Sequence, residues 1–419
     1  MSSETPASPI TEPPSGGSPA AGTPEAAVAA LLSRDPSAMA DPYPLYALLR
    51  EQVPVFDAGG LWLVSRYEDV FTIARNRAMS FAQPVTSHPL FHQSLTLRTF
   101  SKIMLFTDPP THTRLRQLVQ RAFTRKTVAR LTDFVEAVVD DTVDRCREKG
   151  TFDLVAEFAD PLPLSVICHM LGVPPEDEPR FRGWVRAVIT GNFATLEALS
   201  EADAAMQGLL DYMHGLLSER RSQPGEDLIS QLISARDEGD QLSDEESVAM
   251  AILLLLAGSD TTSHLLSVGA YALLKHPDQL ERLRQEPDLV ENAVEELLRY
   301  DGPVHTSTVR TAAADLELSG VTIPQGAAIM PVLAAANRDP AAFERPDDLD
   351  VARTNNRHLA FSTGTHTCRG TMLARLEGAI GIRALATRFD RIELEEDPIP
   401  WITIGNIRGI ERLAVSVAS

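Results

Sequence analysis

The chain has 419 residues, of which 44% are hydrophobic and 23% charged, an ordinary composition for a globular protein. Its formal net charge of −20 argues against nucleic acid or an anionic membrane surface as the main partner. The cysteines (Cys146, Cys168 and Cys368) form no CxxC pair and are odd in number, which argues against a disulfide framework or a structural zinc site and favours a reducing cytoplasm.

The sequence shows no targeting or membrane-spanning pattern. The N-terminus lacks a basic start followed by an apolar core. The longest strongly apolar run, Ala249–Gly258, is far shorter than the ~20 residues that span a bilayer. We therefore expect a soluble, cytoplasmic protein without a membrane partner.

The N-terminal part combines a tail, helices and a hairpin. Residues 1–24 are rich in Pro, Ser, Gly, Ala and Thr without apolar periodicity, which is typical of a disordered tail. A short helix is predicted over Glu25–Ser33, and Asp41–Phe56 is typical of a helix that leads into a strand. A glycine pair separates this strand from Leu61–Ser65, which predicts a β-hairpin, and Tyr67–Asn76 returns to helix.

The segment Met79–Met104 is long, irregular and apolar. Prolines and histidines interrupt any periodicity, while Phe81, Leu90 and Phe91 are apolar. Long segments without regular structure are either functional loops or disordered. This one is too apolar to be disordered, so we expect a functional loop.

Helical spacing dominates the middle of the chain. A break at residues 191–193 separates two of the predicted helices, and the longest helix starts with a capping box formed by Ser243 and Glu246. The predicted helices are Arg114–Phe123, Thr127–Lys149, Phe158–Leu171, Pro179–Thr190, Leu199–Arg221, Asp227–Asp237, Ser243–Lys275, Asp278–Gln285 and Leu289–Tyr300.

After Pro303 the pattern changes to short β-like runs, a coil and one last helix. The predicted strands are Thr306–Thr311, Leu316–Leu318, Ala328–Pro331, Ile392–Leu394, Trp401–Ile407 and Leu413–Val417, and the helix is Gly370–Phe389. No internal repeat or second core is visible. We predict one mainly α-helical domain over residues 25–419, with small peripheral β-sheets.

Cys368 lies between a glycine-containing loop and an apolar helical run, within His358–Glu377. A thiolate at a helix start faces backbone N–H groups and the positive end of the helix dipole, which lower its pKa and suit it to bind a metal or act as a nucleophile. Gly364 allows a tight turn, and Gly370 allows close approach to a flat, bulky group. The alternative is a buried core cysteine, the usual environment of a free one.

A second unusual segment, AGSDTT (Ala257–Thr262), lies inside the longest predicted helix. Glycine in a helix interior costs ~1 kcal/mol relative to alanine, and departures from local rules concentrate at functional sites. Gly258 would let a flat group or a small ligand approach the backbone, while Asp260 and Thr261 supply carboxyl and hydroxyl groups for proton delivery. The alternative is a packing glycine beside ordinary polar residues.

Two further pairs of polar residues have helical spacing. Glu296 and Arg299 are three residues apart, and such a pair is usually solvated and contributes less than about 1 kcal/mol. His112 and Arg116 follow a proline pair that starts a helix, and their side chains share a face suited to a carboxylate or a phosphate. The alternative for this second pair is a solvated basic face.

In this order, the segments resemble those of the cytochrome P450 monooxygenases. The pattern F-x-x-G-x-H-x-C-x-G (residues 361–370) is similar to the family's haem-binding loop, AGSDTT to its oxygen-activating helix segment, and Glu296 with Arg299 to its EXXR pair. The resemblance covers about Asp41 to the C-terminus and is greatest to the soluble bacterial branch. It implies the mainly α P450 fold, a helical bundle around haem b with small peripheral sheets.

The resemblance implies roles for individual residues. Cys368 would be the thiolate ligand of the haem iron, with Phe361, Gly364 and Gly370 as further cofactor-binding residues of the same loop. Asp260 and Thr261 would be the catalytic acid–alcohol pair that relays protons to dioxygen. The residues implied to pair with the haem propionates are His112, Arg116, Arg310 and His366, with His358 as a further partner.

Glu296 and Arg299 would be structural. With Arg345 or Arg353 from the coil before the cysteine loop, they resemble the network that holds the haem-binding core of the family together.

The implied reaction inserts one oxygen atom from O2 into a hydrophobic small molecule, by hydroxylation or epoxidation, in polyketide- or terpenoid-like biosynthesis. Two electrons would come from NAD(P)H through a separate ferredoxin and ferredoxin reductase, because the chain has neither a GxGxxG unit nor the cysteines for an iron–sulfur cluster. We expect a monomer. The predicted substrate contacts are Phe91, Leu253, Ala257, Gly258, Val304, Thr306 and Ile404.

A basic stretch is the candidate docking face for the electron donor. Residues 109–132 contain no acid, in contrast to the acidic chain as a whole. We predict that this face binds an acidic ferredoxin. Its cations are Arg114, Arg121, Arg125, Lys126 and Arg130.

Two other kinds of haem protein are alternatives. A haem-thiolate peroxygenase that uses hydrogen peroxide would not need the relay formed by Asp260 and Thr261, and neither would a non-catalytic haem sensor or binding protein. The presence of this pair therefore favours the monooxygenase.

Overall fold

The computed structural model describes residues 22–191, 195–235 and 240–418, except for the side chains of Arg121 and Ala122. Residues 1–21 of the predicted tail, and residues 192 and 193 of the predicted helix break, lie outside this part of the chain. The first helix begins at Pro24, where the Thr23 side chain accepts a hydrogen bond from the Ala26 N–H.

Helices make up most of the described residues. The α-helices are α1 (Pro24–Leu32), α2 (Pro36–Ala40), α3 (Tyr43–Gln52), α4 (Tyr67–Arg75), α5 (Gln83–Thr86), α6 (Leu95–Phe100), α7 (Thr111–Ala122), α8 (Arg125–Ala129), α9 (Thr132–Lys149), α10 (Pro161–Leu171), α11 (Glu178–Ile189), α12 (Leu196–Ser222), α13 (Leu228–Ser234), α14 (Asp244–Lys275), α15 (Pro277–Gln285), α16 (Val290–Asp301), α17 (Leu333–Asn337) and α18 (Thr371–Thr387).

The strands are short and lie in separate sheets. They are β1 (Val55–Asp57), β2 (Leu61–Val64), β3 (Met79–Ser80), β4 (Thr151–Asp153), β5 (Arg310–Ala312), β6 (Leu316–Leu318), β7 (Val321–Ile323), β8 (Ala328–Pro331), β9 (Arg391–Leu394), β10 (Trp401–Ile404), β11 (Ile407–Ile410) and β12 (Ala414–Ala418). The largest sheet has the order β1-β2-β8-β5-β3, with β2 and β8 parallel. The others are β4-β12-β9 and the pairs β6-β7 and β10-β11.

Helix α14 is the centre of the core. It packs against α10, α12, α16 and α18, and most of its side chains are buried. By length and composition alone it could span a membrane, but 72% of its most apolar window is buried inside the protein, as expected for a core helix. Its predicted capping box is present, since the side chains of Ser243 and Glu246 each accept a hydrogen bond from the other residue's backbone N–H.

The predicted fold class, mainly α with small sheets, is confirmed, and most helices lie where the periodicity places them. The predicted helix Thr127–Lys149 is interrupted between α8 and α9. The predicted strand Thr306–Thr311 was wrong for its first part, because residues 304–307 bond to two different segments: the His305 N–H donates to the Asn406 carbonyl and the Ser307 N–H to that of Pro331. Strands β3, β4 and β7 and helix α17 are too short to leave a periodic pattern.

Glu377 on α18 is an acid within this core. The residue is only 1% exposed, and the Oε2 atom of its carboxyl has no hydrogen-bond partner among the described residues. Burial raises the pKa of this carboxyl to about 8, because the charged form loses its hydration.

Replacing this acid should therefore stabilise the protein in a pH-dependent way. The unfolded chain releases the proton near the ordinary value of 4.5 whereas the folded chain keeps it to about 8, so stability is lost as the pH rises through this window. We expect Glu377→Gln to gain roughly 1–3 kcal/mol near neutral pH and little below the window. Thermal unfolding across the window measures this gain. The exposed Glu291→Gln is the control, and a gain independent of pH would contradict the assignment.

Candidate functional site

The cysteine loop is closed by its own backbone. The Cys368 N–H donates to the Phe361 carbonyl at 2.9 Å, and the Thr371 hydroxyl donates to the Cys368 carbonyl at 2.9 Å. Gly364 has a φ of +74°, and a Cβ there would lie 2.5 Å from the carbonyl oxygen of Ala74. A side chain at this position would therefore push the loop away from α4.

The Cys368 sulfur faces a cavity of about 280 Å³ between this loop and α14. Phe361, Gly370 and Leu373 line the cavity on the cysteine side, and Thr261 lines it on the helix side. A Cβ at Gly370 would lie 3.8 Å from the sulfur, so the glycine leaves space beside it. Cys368 is thus reached from an internal cavity and is not packed as an ordinary core cysteine.

The expected depression of the Cys368 pKa was wrong. Burial raises the pKa of this thiol above its ordinary value, although the Gly370 N–H, the Thr371 hydroxyl and the cations Arg116 and Arg369 oppose the shift. The helix start alone therefore does not lower the pKa of this thiol. A metal ion bound to the sulfur would keep it in the thiolate form, because a coordinating thiol loses its proton outright.

Two histidines and an arginine stack beside the loop. The ring of His366 lies between those of Phe81 and His112, with centroid distances of 3.6 Å and 3.9 Å. The Arg310 guanidinium lies 4.5 Å from the Phe81 ring centroid and donates a hydrogen bond to the Ser307 hydroxyl. These residues come from four separate segments and meet at one wall of the cavity.

Burial lowers the pKa of each of these bases. The pKa of His112 is lowered to about 4 and that of His366 to about 3, with repulsion from neighbouring cations adding to the effect. The pKa of Arg310 falls to about 10. His112 is 1% exposed and its Nδ1 has no hydrogen-bond partner among the described residues, which excludes the solvated basic face.

The cavity contains cations without matching anions. Arg116, which donates to the Thr367 carbonyl at 3.1 Å, and Arg369 complete the basic wall. None of the residues that line the cavity in the described part of the chain is an acid. A ligand with two carboxylates would supply the missing charge and an acceptor for the unpaired nitrogen of His112.

Helix α14 presents two different faces. Ala257, Gly258 and Thr261 line the cavity that contains Cys368, and the Thr261 hydroxyl donates to the Ala257 carbonyl at 2.7 Å. Asp260 instead faces a second, more polar cavity of about 820 Å³ together with His264, whose Nε2 lies 3.9 Å from Asp260 Oδ2. Neighbours in sequence thus lie on opposite sides of the helix.

The environment of Asp260 favours the neutral acid. Burial raises its pKa, while His264 and Arg186 oppose the shift and Asp160 adds to it. Its Oδ2 has no hydrogen-bond partner within the described ranges. The acid can therefore hold a proton at this oxygen more readily than an exposed aspartate can.

Glu296 and Arg299 form a fully buried pair and not a solvated one. Arg299 donates from Nε and Nη2 to the carboxylate of Glu296 at 2.8 Å each. Arg353 adds two bonds from its Nε to the same carboxylate, at 3.1 Å and 3.0 Å, and Asn356 adds one at 3.1 Å. Arg299 also donates to the Pro346 carbonyl at 2.6 Å, so the pair ties the coil before the cysteine loop to α16.

Not every predicted residue meets in one place. Phe91, Thr306 and Ile404 do not line the cavity of Cys368, and Ile404 lines the second cavity. His358 lies 3.2 Å from Glu295 and bonds to it, and Arg345 pairs with Asp348. The residues that the structure places at the Cys368 cavity are His112, Arg116, Leu253, Ala257, Gly258, Thr261, Val304, Arg310, Phe361, His366, Cys368 and Gly370.

Arg369 was missed as a site residue, although it directly follows Cys368 in the sequence. Phe81 and Ser307 lie in segments expected to contact the substrate (Met79–Met104 and Val304–Thr308), but neither was given a role of its own. In the structure Phe81 carries the histidine stack, Ser307 accepts the bond from Arg310, and Arg369 lines the cavity next to the cysteine.

Acids from distant segments neutralise part of the predicted docking face. Arg114 pairs with Asp240 at 3.4 Å and with Glu246, and Arg130 pairs with Glu226 at 3.6 Å. The absence of acids from residues 109–132 therefore overstated the free positive charge.

Other cations of this face remain available. Arg125 and Lys126 at the start of α8 are exposed and have no ion pair among the described residues. The side chain of Arg121 lies outside the described part of the chain.

Comparison with known proteins identifies the family. The family model for cytochrome P450 matches residues 60–410. The chain belongs to the cytochrome P450 family. It is 39% identical over 386 residues to the cytochrome P450 monooxygenase PikC of Streptomyces venezuelae, which covers 90% of this chain and 91% of that protein. It is 37% identical over 391 residues to 6-deoxyerythronolide B hydroxylase of Saccharopolyspora erythraea, covering 90% and 96%.

A solved P450 has the same fold. The crystal structure of P450BioI in complex with hexadec-9Z-enoic acid ligated acyl carrier protein matches with a TM-score of 0.86 and 33% identity, over 91% of this chain and 99% of that chain. The identification of the family and of the fold from sequence is thereby confirmed. The protein is a cytochrome P450 monooxygenase, and its cofactor is haem.

The residues of this P450 fit haem. The cavity offers one cysteine sulfur, a glycine beside it, and a wall of cations with an unpaired His112 nitrogen and no acid among the described lining residues. These features suit an iron porphyrin with two propionates. Helix α14 bounds the cavity opposite the sulfur.

The Glu296 network should be more important for stability than its exposed neighbours. Arg353→Gln leaves part of a buried charge unpaired, and we expect a loss of about 3–5 kcal/mol of unfolding free energy together with weaker haem retention. Urea unfolding measures the free energy of unfolding, and the ratio of haem to protein absorbance measures haem retention. Arg345→Gln, in the same coil but 64% exposed, is the matched control and should change stability little. Equal losses in the two variants would refute the buried network.

Proposed function

We propose that this P450 hydroxylates or epoxidises a bulky, hydrophobic intermediate of polyketide-like biosynthesis. Leu253, Leu254, Ile167 and Val304 give the cavity apolar walls around the sulfur. One similar relative is named as a polyketide biosynthesis cytochrome P450 and another as a 6-deoxyerythronolide B hydroxylase, and the P450BioI structure holds a carrier-bound acyl chain. The observation that carries the proposal is that the Cys368 sulfur and a set of unmatched cations share one otherwise apolar cavity.

Haem supplies the redox chemistry that activates O2 and inserts one oxygen atom into the substrate. Cys368 would hold the iron through its sulfur, and ligation by thiolate favours O–O cleavage. His112, Arg116, Arg310 and His366 would hold the propionates through charge-assisted hydrogen bonds. The apolar walls exclude water and orient the substrate by shape.

Thr261 and Asp260 would deliver protons from opposite faces of α14. The Thr261 hydroxyl donates to the Ala257 carbonyl. The hydroxyl oxygen therefore keeps free lone pairs, which can accept a hydrogen bond from a proton donor in the cavity. Asp260 can hold a proton at Oδ2 in the second cavity. A rotation of the Asp260 side chain or a bridging water would be needed to connect the two groups.

Electrons would come from a separate ferredoxin and its NAD(P)H-dependent reductase. Arg125 and Lys126 are exposed cations at the start of α8, on the basic stretch that follows His112. They would attract an acidic ferredoxin. We further propose that the protein acts as a cytoplasmic monomer.

The spectrum of the reduced protein with carbon monoxide tests the central assignment. Wild type should give the Soret band typical of thiolate ligation, because the Cys368 sulfur holds the iron. Cys368→Ser should lose this band. Cys168→Ser, which removes a buried thiol that does not line the cavity, is the control and should keep it. A wild type without the band would refute the proposed function.

Removing the hydroxyl of Thr261 should separate electron use from product formation. In Thr261→Ala, we expect NAD(P)H consumption to continue while the product formed per NAD(P)H falls several-fold and hydrogen peroxide rises. Thr261→Ser keeps the hydroxyl and should retain most of the coupling. Parallel assays of NAD(P)H, peroxide and product measure the ratio, and unchanged coupling in Thr261→Ala would count against a monooxygenase that relays protons through Thr261.

A further inference from the structure

A carboxylate of α12 binds the start of α6. Asp203 accepts hydrogen bonds from the Ser94 hydroxyl at 2.8 Å, the Leu95 N–H at 3.1 Å and the Thr96 N–H at 2.8 Å. The first N–H groups of a helix have no partner within it, and a negative charge beside them is favourable. One side chain of α12 thus satisfies three donors on a segment more than a hundred residues away.

These donors have little access to water. Ser94 and Thr96 are fully buried, so the loss of Asp203 would leave the Ser94 O–H and the Thr96 N–H without an acceptor. Burial of Asp203 opposes ionisation, but the bonds from Thr96, Ser94 and Leu95 lower its pKa on balance. The carboxylate is therefore charged at neutral pH, and its bonds are of the stronger, charge-assisted kind.

The bonded helix belongs to the segment that covers the Cys368 cavity. Phe81 at one end of this cover segment (residues 81–106) and Met104 and Leu105 at the other end line the cavity. The first end is fixed, because the Phe81 N–H donates to Asp108 at 2.7 Å and the preceding strand β3 pairs with β5. Asp203 holds the part between these ends.

The apolar contacts of this part are divided between the main core and a small separate cluster. Leu95 and Phe100 are only partly buried against the main core. Val85 and Leu97 of the cover segment pack with Leu199 and Ala202 of α12 in a small cluster of their own, which Phe91 joins from its edge. This explains why Phe91 lies outside the cavity lining. The Lys102–Glu245 ion pair is exposed on both sides and contributes little to the attachment.

We propose that Asp203 is a positioning residue that keeps the cover segment closed over the cavity and so limits the rates at which ligands enter and leave. The inference extends the proposed function, since the cavity is the one assigned to the substrate. Without the Asp203 bonds, the middle of the segment would be held mainly by apolar contacts of partly buried side chains, and the segment would open more often.

The test compares Asp203 with a neighbouring acid on the same helix. Asp211, on α12 two turns later, is exposed and accepts a hydrogen bond from the Gln207 side chain at 2.8 Å. The haem-loaded variants Asp203→Ala, Asp203→Asn and Asp211→Ala would be mixed with 4-phenylimidazole, an apolar haem ligand, in a stopped-flow instrument. Hydrogen exchange would be measured on the same samples.

Asp203→Ala should raise the association and dissociation rates of 4-phenylimidazole about tenfold, which corresponds to ~1.4 kcal/mol in the opening equilibrium. Exchange should increase in residues 90–103 while α14 and α18 stay protected. Asp203→Asn keeps an acceptor oxygen and should lie between Asp203→Ala and wild type, which also covers the case in which Asp203→Ala fails to fold. Asp211→Ala should match wild type.

Two results would overturn the proposal. One is that the rates and the exchange of both Asp203 variants equal those of Asp211→Ala. The other is a loss of protection throughout the protein, because this would show a general loss of stability. Binding of 4-phenylimidazole and hydrogen exchange need no turnover. Failure of the Asp203 proposal can therefore be distinguished from failure of the proposed function, which the carbon monoxide experiment tests.

Discussion

The structure depends on a concentration of basic side chains next to one sulfur. His112, Arg116, Arg310 and His366 meet at a cavity whose described lining includes no acid. Burying a positive charge without a partner is costly, and here it lowers the pKa of both histidines well below the ordinary range. The two propionates of a haem bound as proposed would offset this cost, and the folding of this region would then be thermodynamically coupled to the binding of the cofactor.

The second constraint is the anchoring of the coil that precedes the cysteine loop. The carboxylate of Glu296 is satisfied by Arg299, Arg353 and Asn356, and Arg299 in turn binds backbone carbonyls of the coil. A coil without regular secondary structure needs such side-chain bonds for its own polar groups. The cysteine is placed accurately because the coil before it is held by buried charges.

Much of the fold and of the site was predictable from the sequence, because long periodic helices and short motifs leave local signals. The cysteine loop, the polar segment of α14 and the Glu296 pair were all found in this way. The sequence could not show whether Arg345 or Arg353 pairs with Glu296, because both lie in one coil. Only the tertiary structure shows which of the two side chains is buried. The raised pKa of Cys368 also depends on burial by distant segments, which no local pattern contains.

Residues that act across long sequence distances were the least predictable. Asp203 looks like any acid on an amphipathic helix, and Phe81 like any aromatic residue in a loop. Their roles come from the segments that the fold brings to them. The same holds for Asp240, Glu226 and Glu246, whose pairing with the basic stretch could not be inferred from the stretch itself.

Helix α14 also acts as a partition between two compartments of different polarity. The residues that touch the substrate side, such as Leu253 and Ala257, and those on the polar side, such as Asp260 and His264, share a backbone but no surface. Changes of side-chain volume on one side therefore leave the hydrogen-bonding groups on the other in place. Under the proposed function, the protein could be adapted to substrates of a new shape while the polar groups proposed to supply protons stay the same.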